Sequence, residues 1–294
     1  MLAQGDALPP DVGTPPRQTG GMGRDPETTL AELLSVGRRA VGVAAELIRT
    51  RRPAVVTAKG DRDSVTDVDL AVERTIRGLL AEATPGIGFL GEEEGASADT
   101  ARTPQTWALD PIDGTANYAA GSPLCAVSLA LLEEGQPVLG VIDLPFLGQQ
   151  YWATAGGGAF LNGEPVQAPA GPRVLGEAIV ALGDFATGPD ATGQNDLQLR
   201  LAGLLAGRAL RIRMLGSAAI DLAWLAAGRH HASVTLCNRP WDMAAGVVIA
   251  REAGATVADL DGSGYSLASR SVIVATGRLG EELLATVEEA QASP

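Results

Sequence analysis

The chain has 294 residues, of which 46% are hydrophobic, and its formal net charge at pH 7 is −13. This length allows one large buried core or two packed halves. The acidic excess would repel nucleic acid and anionic membrane surfaces, and no run of 18 uncharged apolar residues occurs, so neither nucleic acid nor a membrane is expected as a partner.

The first half of the chain predicts a leader, two helices and a sheet. Residues 1–24 are rich in Pro and Gly and lack an apolar h-region, which predicts a disordered leader rather than a signal peptide. A first helix is expected from a cap at Asp25-Pro26, with Pro53 ending it, and a second over residues 69–82. Extended runs at 87–90, 107–109, 125–132, 138–143 and 150–155 predict a mostly antiparallel sheet that carries both helices.

The pattern changes near residue 170 to an alternation of strands and helices. Strands are predicted at 178–182, 209–213, 232–236, 256–258 and 272–275, and helices at 196–206, 217–227, 241–253 and from Gly280 onward. The expected architecture is therefore a layered α/β protein with two packed halves, residues 25–165 and 166–294.

Carboxylates cluster around one predicted turn. Asp110 and Asp113 flank Pro111-Ile112 directly after a predicted strand, so a sharp turn there can aim both carboxylates at one point. Gly114 allows close approach of the backbone to a ligand, and its amide and that of Thr115 can form a small anion nest. The segment therefore predicts a phosphate held between backbone amides and divalent cations.

Two distant segments offer further carboxylates. Glu92 follows a short predicted strand and a glycine, with Glu93 and Glu94 as competitors for the same role. Asp242 lies behind Pro240 in the first turn of a predicted helix, where the positive helix end favours an anion. Plainer interpretations stay open: Asp242 as an ordinary helix-start acid, and the whole group as solvated loop acids.

The motifs that carry these residues resemble a known family. They are Val65-Thr-Asp-Val-Asp69, Gly91-Glu-Glu93, Trp107-Ala-Leu-Asp-Pro-Ile-Asp-Gly-Thr115, the predicted hairpin at 156–163, and Trp241-Asp-Met-Ala-Ala-Gly246. Over roughly residues 30–284 the chain resembles the inositol monophosphatase family of magnesium-dependent, lithium-sensitive phosphatases. This resemblance implies a five-layer αβαβα sandwich of the inositol monophosphatase and sugar phosphatase type, assembled as a homodimer.

The resemblance also implies roles for individual residues, by position. Two or three Mg²⁺ ions would be held by Glu92, Asp110, the backbone carbonyl of Ile112, Asp113 and Asp242. Asp69 and Thr115 would orient the attacking water, with Glu92 helping to accept its proton, and the amides of Gly114 and Thr115 would hold the phosphate. The implied substrate contacts are Asp113, Gly216, Ser217, Ala218, Thr235 and Asp242. Most metal ligands thus fall in the N-terminal half, and Asp242 in the C-terminal half.

The alcohol half of the substrate is less well defined. Inositol-preferring relatives carry a glutamate seven residues before Asp242, where this chain has Thr235, which weakens strict selectivity for inositol. The expected activity is hydrolysis of a small phosphate monoester by metal-activated water, with inositol monophosphate as the first choice. Histidinol-phosphate phosphatase, fructose-1,6-bisphosphatase and adenosine bisphosphate phosphatase remain alternatives, as does a catalytically idle metal-binding regulator.

The histidines and cysteines suggest no further chemistry. His230 and His231 are the two histidines of the sequence, and neither has a metal-type partner nearby in sequence, which favours structural or surface roles. Cys125 and Cys237 lie in apolar contexts and are predicted to be buried thiols rather than a disulfide. Free thiols are typical of a reducing compartment, so a cytoplasmic protein is expected.

Overall fold

The structure is a computed structural model that describes residues 29–98, 100, 103–188 and 191–292. The predicted disordered leader, residues 1–24, and the predicted helix start at Asp25-Pro26 lie outside the described residues. Among the described helices, none is long and apolar enough to cross a membrane.

The N-terminal helices begin at threonine caps. Helix α1 (Leu30–Thr50) follows Thr29, and helix α2 (Asp67–Ala83) follows Thr66, each with a reciprocal capping box. Helix α2 begins two residues earlier than predicted, because its N-cap is Thr66. Asp69 is the acidic residue of its capping box. Between the helices, strands β1 (Val56–Gly60) and β2 (Asp63–Thr66) form an antiparallel hairpin that the sequence pattern did not predict.

An eight-stranded sheet follows the two helices. Its strands are β3 (Gly88–Gly91), β4 (Gly95–Ala96), β5 (Gln105–Asp113), β6 (Ala126–Glu133), β7 (Gln136–Leu144), β8 (Gln149–Thr154), β9 (Gly158–Leu161) and β10 (Glu164–Val166). Their order in the sheet is β10-β9-β8-β7-β6-β5-β3-β4. Strand β3 pairs with β5 in parallel and the other described pairs are antiparallel, which confirms the mostly antiparallel prediction.

The prediction that β5 ends before Asp110 was wrong. Pairing with β6 continues to Asp113, with a shift of register between Asp110 and Asp113. Because Pro111 has no amide to donate to the ladder, the strand accommodates it at this irregularity and does not stop. The two carboxylates therefore lie on a bulged strand end, and the short helix α3 (Thr115–Ala119) begins directly after it.

A five-stranded sheet forms the second half. Strands β11 (Ile179–Leu182), β12 (Arg211–Arg213), β13 (Ala232–Thr235), β14 (Thr256–Ala258) and β15 (Val272–Ala275) lie in the order β12-β11-β13-β15-β14. The helices of this half are α4 (Ala191–Arg208), α5 (Ala218–Ala226), α6 (Pro240–Glu252) and α7 (Leu279–Ala292). The predicted alternation of strands and helices is confirmed, with ends shifted by a few residues.

Four buried clusters separate five layers. Helices α1 and α2 pack on one face of the eight-stranded sheet, and α5 and α6 pack on its other face. The opposite side of α5 and α6 packs on the five-stranded sheet, whose outer face is covered by α4 and α7. Small residues permit the close contact between the eight-stranded sheet and helix α6. A Cβ at Gly140 of β7 would lie 2.4 Å from the Ala245 carbonyl oxygen of α6. The predicted αβαβα sandwich is confirmed.

Candidate active site

One cleft of about 390 Å³ lies where the ends of β3, β5 and β13 meet the starts of α3, α5 and α6. Most of the predicted site residues line it, namely Glu92, Asp110, Ile112, Asp113, Gly114, Thr115, Gly216, Ser217, Ala218, Thr235 and Asp242. Asp69 lies directly behind the cleft, fully buried, and accepts a hydrogen bond of 3.1 Å from the Thr115 hydroxyl. Residues from both halves of the chain therefore line one cleft.

Three carboxylates form the most concentrated charge in the cleft. One oxygen each from Glu92, Asp110 and Asp242 lies within 4.8 Å of the others. Burial, followed by the charges of Glu92, Asp113 and Asp242, raises the pKa of Asp110 well above its usual range. Burial also raises the pKa of Asp242. Buried carboxylates that repel one another and offer only oxygen ligands fit a hard divalent cation, whose charge would relieve the repulsion.

Asp113 connects the two halves of the molecule. One of its oxygens accepts hydrogen bonds from the Ser217 hydroxyl and, at 2.7 Å, from the Ala219 amide at the start of α5. Burial raises the pKa of Asp113 to about 6, although these hydrogen bonds oppose that shift. Asp113 is thus held in position from the C-terminal half, beside the Glu92, Asp110 and Asp242 trio.

The backbone at the end of β5 orients the Asp110 carboxylate and requires glycine at position 114. The Ile112 amide donates to Asp110 Oδ1 at 2.9 Å, which orients that carboxylate. Gly114 has a left-handed φ of 88°, and a Cβ there would lie 2.9 Å from the Gly216 carbonyl oxygen and 3.0 Å from that of Leu124. A side chain at position 114 would therefore be strained and would push β5 away from the start of α5.

Asp69 and Thr115 form a hydrogen-bonded pair. The amide and hydroxyl of Thr66 donate to one oxygen of Asp69, which leaves the other oxygen for Thr115. The Thr115 oxygen also lies 3.0 Å from the Ile112 carbonyl oxygen, so its single proton is shared between two acceptors. Burial raises the pKa of Asp69. The lone pairs of the Thr115 hydroxyl remain available to a group in the cleft.

The loop after β3 resolves which of three glutamates serves the cleft. Glu92 lines the cleft, whereas Glu93 binds Lys59 at 2.7 Å and Glu94 binds Arg74 at 2.7 Å. Lys59 also contacts Glu92 at 3.0 Å. Burial alone would lower the pKa of Lys59, but hydrogen bonds and charges from both glutamates raise it. Lys59 therefore balances part of the negative charge at this edge of the cleft.

Glu73 is a supporting residue that the sequence analysis missed. It is fully buried on α2 and accepts the amides of Glu93 and Glu94 at 2.9 and 3.0 Å. A Cβ at Gly91 would lie 2.2 Å from a Glu73 oxygen, so glycine is needed for this approach. The sequence did contain a signal for Glu73. It is an acidic residue on the buried and largely apolar face of α2.

Four charged residues outside the predicted set of site residues also belong to the cleft wall. Asp184, Asp221, Arg62 and Arg239 all line the cleft. Arg62, at the tip of the unpredicted hairpin, donates to the Ala186 carbonyl oxygen at 3.1 Å. The prediction of two buried thiols was wrong for Cys237, which is exposed in the loop between β13 and α6. Cys125 is buried, as predicted, in the cluster between helices α1 and α2 and the eight-stranded sheet.

Comparisons with known proteins agree with this geometry. The model of the inositol monophosphatase family matches residues 29–292. The chain is 42% identical over 240 residues to the probable inositol 1-monophosphatase ImpA of Mycobacterium tuberculosis, covering 81% of this chain and 86% of that protein. It is 36% identical over 264 residues to the inositol-1-monophosphatase ImpA of Mycolicibacterium smegmatis, covering 90% and 94%.

A solved structure shares the fold. The IMPase of Thermotoga maritima superposes with a TM-score of 0.80 at 31% identity, covering 88% of this chain and 98% of that one. Fold and cleft together define a metal-dependent phosphatase that hydrolyses phosphate monoesters. The chain belongs to the inositol monophosphatase family.

Proposed function

We propose that the protein is a magnesium-dependent phosphatase whose substrate is inositol monophosphate or a closely similar small phosphate monoester. The observation that carries this proposal is the Glu92, Asp110 and Asp242 trio beside the hydrogen-bonded pair of Asp69 and Thr115. The names of the two ImpA relatives support inositol monophosphate as the first substrate to test.

The cleft residues divide into two sets of cation ligands. Glu92, Asp110 and the Ile112 carbonyl would hold one Mg²⁺, and Asp110, Asp113 and Asp242 a second. Glu92 and waters would hold a weaker third. When bound, these ions would neutralise the phosphate dianion, lower the pKa of a water and stabilise the leaving alkoxide. Magnesium suits this set because it binds through a few carboxylates and keeps several waters.

The protein's own groups position the reacting water and the phosphate. Thr115, anchored by Asp69, orients the attacking water through its free lone pairs, and Glu92 helps to accept the proton that the water releases. The amides of Gly114 and Thr115 hold the phosphate in the nest that the left-handed Gly114 creates. Gly216, Ser217 and Ala218, at the start of α5 where Asp113 is held, would contact the alcohol.

Three further properties belong to the proposal. Lithium should inhibit, because a site held mainly by Glu92 and waters is accessible to a small cation. We also propose a homodimer in a cytoplasmic setting; family resemblance supports the dimer, and the two free cysteines support the reducing compartment. Light scattering at several protein concentrations tests the dimer, and a constant monomer mass would contradict it.

A phosphate-release screen tests the function itself. The substrates are inositol 1-phosphate, glycerol 2-phosphate, histidinol phosphate, fructose 1,6-bisphosphate and adenosine bisphosphate, each with and without Mg²⁺ and with added Li⁺. We expect magnesium-dependent release that Li⁺ suppresses, with inositol 1-phosphate among the best substrates. A strong preference for histidinol phosphate, fructose 1,6-bisphosphate or adenosine bisphosphate would make that compound the substrate in place of inositol monophosphate. No release from any of the five compounds would favour the idle regulator.

A further inference from the structure

A second cavity, of about 160 Å³, lies at the C-terminal end of α1. Arg49, Arg51 and Arg52 line it, and among the described residues no Asp or Glu does. The chain as a whole has 22 basic residues against 35 acidic ones, so this cavity is opposite in sign to the molecule around it. Positive charges held close together repel one another, and an anion in the cavity would relieve that repulsion.

The protein itself neutralises only part of this charge. Arg49, in the last turn of α1, forms an ion pair with Glu46 at 2.8 Å. Arg51 attracts Asp67 only at longer range, and within the described part of the chain neither Arg51 nor Arg52 forms an ion pair. Because a guanidinium group has five N–H donors and no acceptor, these two arginines can donate to a ligand.

The opposite wall of the cavity is aromatic. The Phe146 side chain is 43% exposed and stacks on Tyr118, with 6.4 Å between the ring centroids. The Tyr118 hydroxyl donates to the Arg51 carbonyl oxygen at 3.0 Å, which joins the aromatic wall to the arginine segment. Guanidinium groups match the oxygens of phosphate, and an exposed aromatic face binds a flat apolar group. The lining therefore fits a molecule that carries both groups.

Size and position separate this cavity from the active-site cleft. Pockets for drug-sized ligands begin at roughly 300 Å³, so the ligand of a smaller cavity must be compact. The described linings of the cavity and the cleft share no residue. Helix α3 contributes to both, since Thr115 lines the cleft and Tyr118 lines the cavity. An anion needs cations to enter the acidic cleft, but the arginines of the cavity supply positive charge without a metal.

We propose that this cavity is an accessory binding site for a compact organic phosphate or phosphonate that carries a flat apolar group. The arginines bind the oxygens of the dianion, and Phe146 contacts the apolar group. A phosphate dianion suits the site because its three oxygens can accept from more than one arginine. The site is independent of the proposed phosphatase function, because the ligand binds without being hydrolysed.

The test uses phenylphosphonate as the probe, because its carbon–phosphorus bond resists hydrolysis. Isothermal titration calorimetry on the full chain in EDTA measures binding while the metal-free cleft, with its clustered carboxylates, repels the anion. We expect one saturable site per chain. Arg52→Gln should raise Kd by about tenfold or more, the scale of one lost charge-assisted hydrogen bond.

A matched variant separates the cavity from general charge attraction. Arg39→Gln removes the same charge from an exposed arginine of α1 that donates to Ser35 Oγ at 2.8 Å, outside the cavity lining. Salt screens such a distant charge, so Kd for phenylphosphonate should stay within about twofold of the wild-type value.

A second variant tests the aromatic wall. Phe146→Ala should weaken phenylphosphonate binding several-fold and leave methylphosphonate binding unchanged, because the smaller probe has no ring to contact position 146. Circular dichroism checks that each variant is folded. If Arg52→Gln does not fold, the ratio of the two Kd values in Phe146→Ala decides.

Four results would overturn the site. The first is the absence of saturable phenylphosphonate binding to the wild type. Equal weakening by Arg39→Gln and Arg52→Gln would show diffuse charge attraction, and unchanged affinity in both Arg52→Gln and Phe146→Ala would show that the anion binds elsewhere. Benzoate bound as tightly as phenylphosphonate would make the ligand a carboxylate and refute the assigned class.

Discussion

At the scale of single residues, the Thr115 hydroxyl lies at the junction of the cleft and the buried interior. It faces the cleft on one side and donates toward Asp69 and the Ile112 carbonyl on the other. Its position depends on Asp69, whose second oxygen is held by Thr66. A hydroxyl fixed in this way can orient a water without carrying charge itself.

Replacing Thr115 tests this role. Thr115→Ala should lower kcat by about 100-fold, the usual scale for the loss of an aligned proton-transfer partner, with a smaller change in KM. Thr115→Ser keeps the hydroxyl and is the matched control, expected to retain most of the activity. Steady-state kinetics with inositol 1-phosphate at saturating Mg²⁺ provides the measurement. A defect confined to KM would assign Thr115 to substrate binding.

At the scale of elements, the loop between β3 and β4 carries Glu92 into the cleft. Helix α2 holds this loop through Glu73, which accepts two of its amides and also binds Arg77 at 2.9 Å. The strand β3, the loop and the helix α2 therefore act as one support for Glu92. Lys59 from the β1–β2 hairpin also contacts this loop, through Glu92 and Glu93.

Replacing Glu73 should weaken magnesium binding through Glu92, although Glu73 itself does not line the cleft. Glu73→Gln replaces one acceptor oxygen with an amide that would face a backbone N–H, so the loop should shift and Glu92 with it. We expect a several-fold higher Mg²⁺ concentration for half-maximal activity, with a folded protein. Glu94→Gln, which alters an exposed pair with Arg74, is the matched control and should leave the magnesium dependence unchanged. The same magnesium requirement in both variants would refute the supporting role of Glu73.

The spacing of apolar residues predicted helices and strands well where buried positions repeat at a fixed period. The helix α6 and the strands β6 and β7 followed directly from apolar spacing, and the convergence of Asp110, Asp113 and Asp242 followed from family motifs. The hairpin β1–β2 was missed because its β1 strand is exposed throughout, which removes the alternation that marks a strand. Glu73 and Asp221 were missed because the loop that Glu73 holds and the cleft wall that Asp221 joins are formed by residues distant in sequence, which spacing does not encode.

At the scale of the whole molecule, the metal-free enzyme should lose stability as pH rises through the neutral range. Asp113, Glu93, Asp110, Asp242 and Asp221 all have raised pKa values, with values of about 6 for Asp113 and about 7 for Glu93. A carboxyl group with a raised folded-state pKa binds more protons in the folded than in the unfolded state, so its contribution to stability is lost as pH rises through that pKa.

Thermal unfolding in EDTA between pH 6.5 and 8 provides the measurement. His230, with a pKa of about 4, gives the opposite dependence, but only below about pH 6.5, its unfolded-state value. The melting temperature should therefore fall across the chosen window, and saturating Mg²⁺ should reduce the fall because cation binding favours ionised carboxylates. The free energy gained at a hundredfold excess over Kd is about 2.7 kcal/mol. A melting temperature that rises with pH in EDTA would contradict the sign of these shifts.

The carboxylate cleft is proposed to hold the cations that activate water for hydrolysis of the phosphate ester. Asp110 belongs to both proposed ligand sets, so its replacement is the decisive test of this site. The measurement is phosphate release from inositol 1-phosphate across a magnesium titration, by the wild type, Asp110→Asn and Asp143→Asn. Asp143 is a buried carboxylate of β7 that accepts from Gln150, outside the cleft lining, and serves as the control. We predict that Asp110→Asn folds and shows no magnesium-dependent release, whereas Asp143→Asn remains active. Near wild-type turnover by folded Asp110→Asn at saturating Mg²⁺ would contradict the claim.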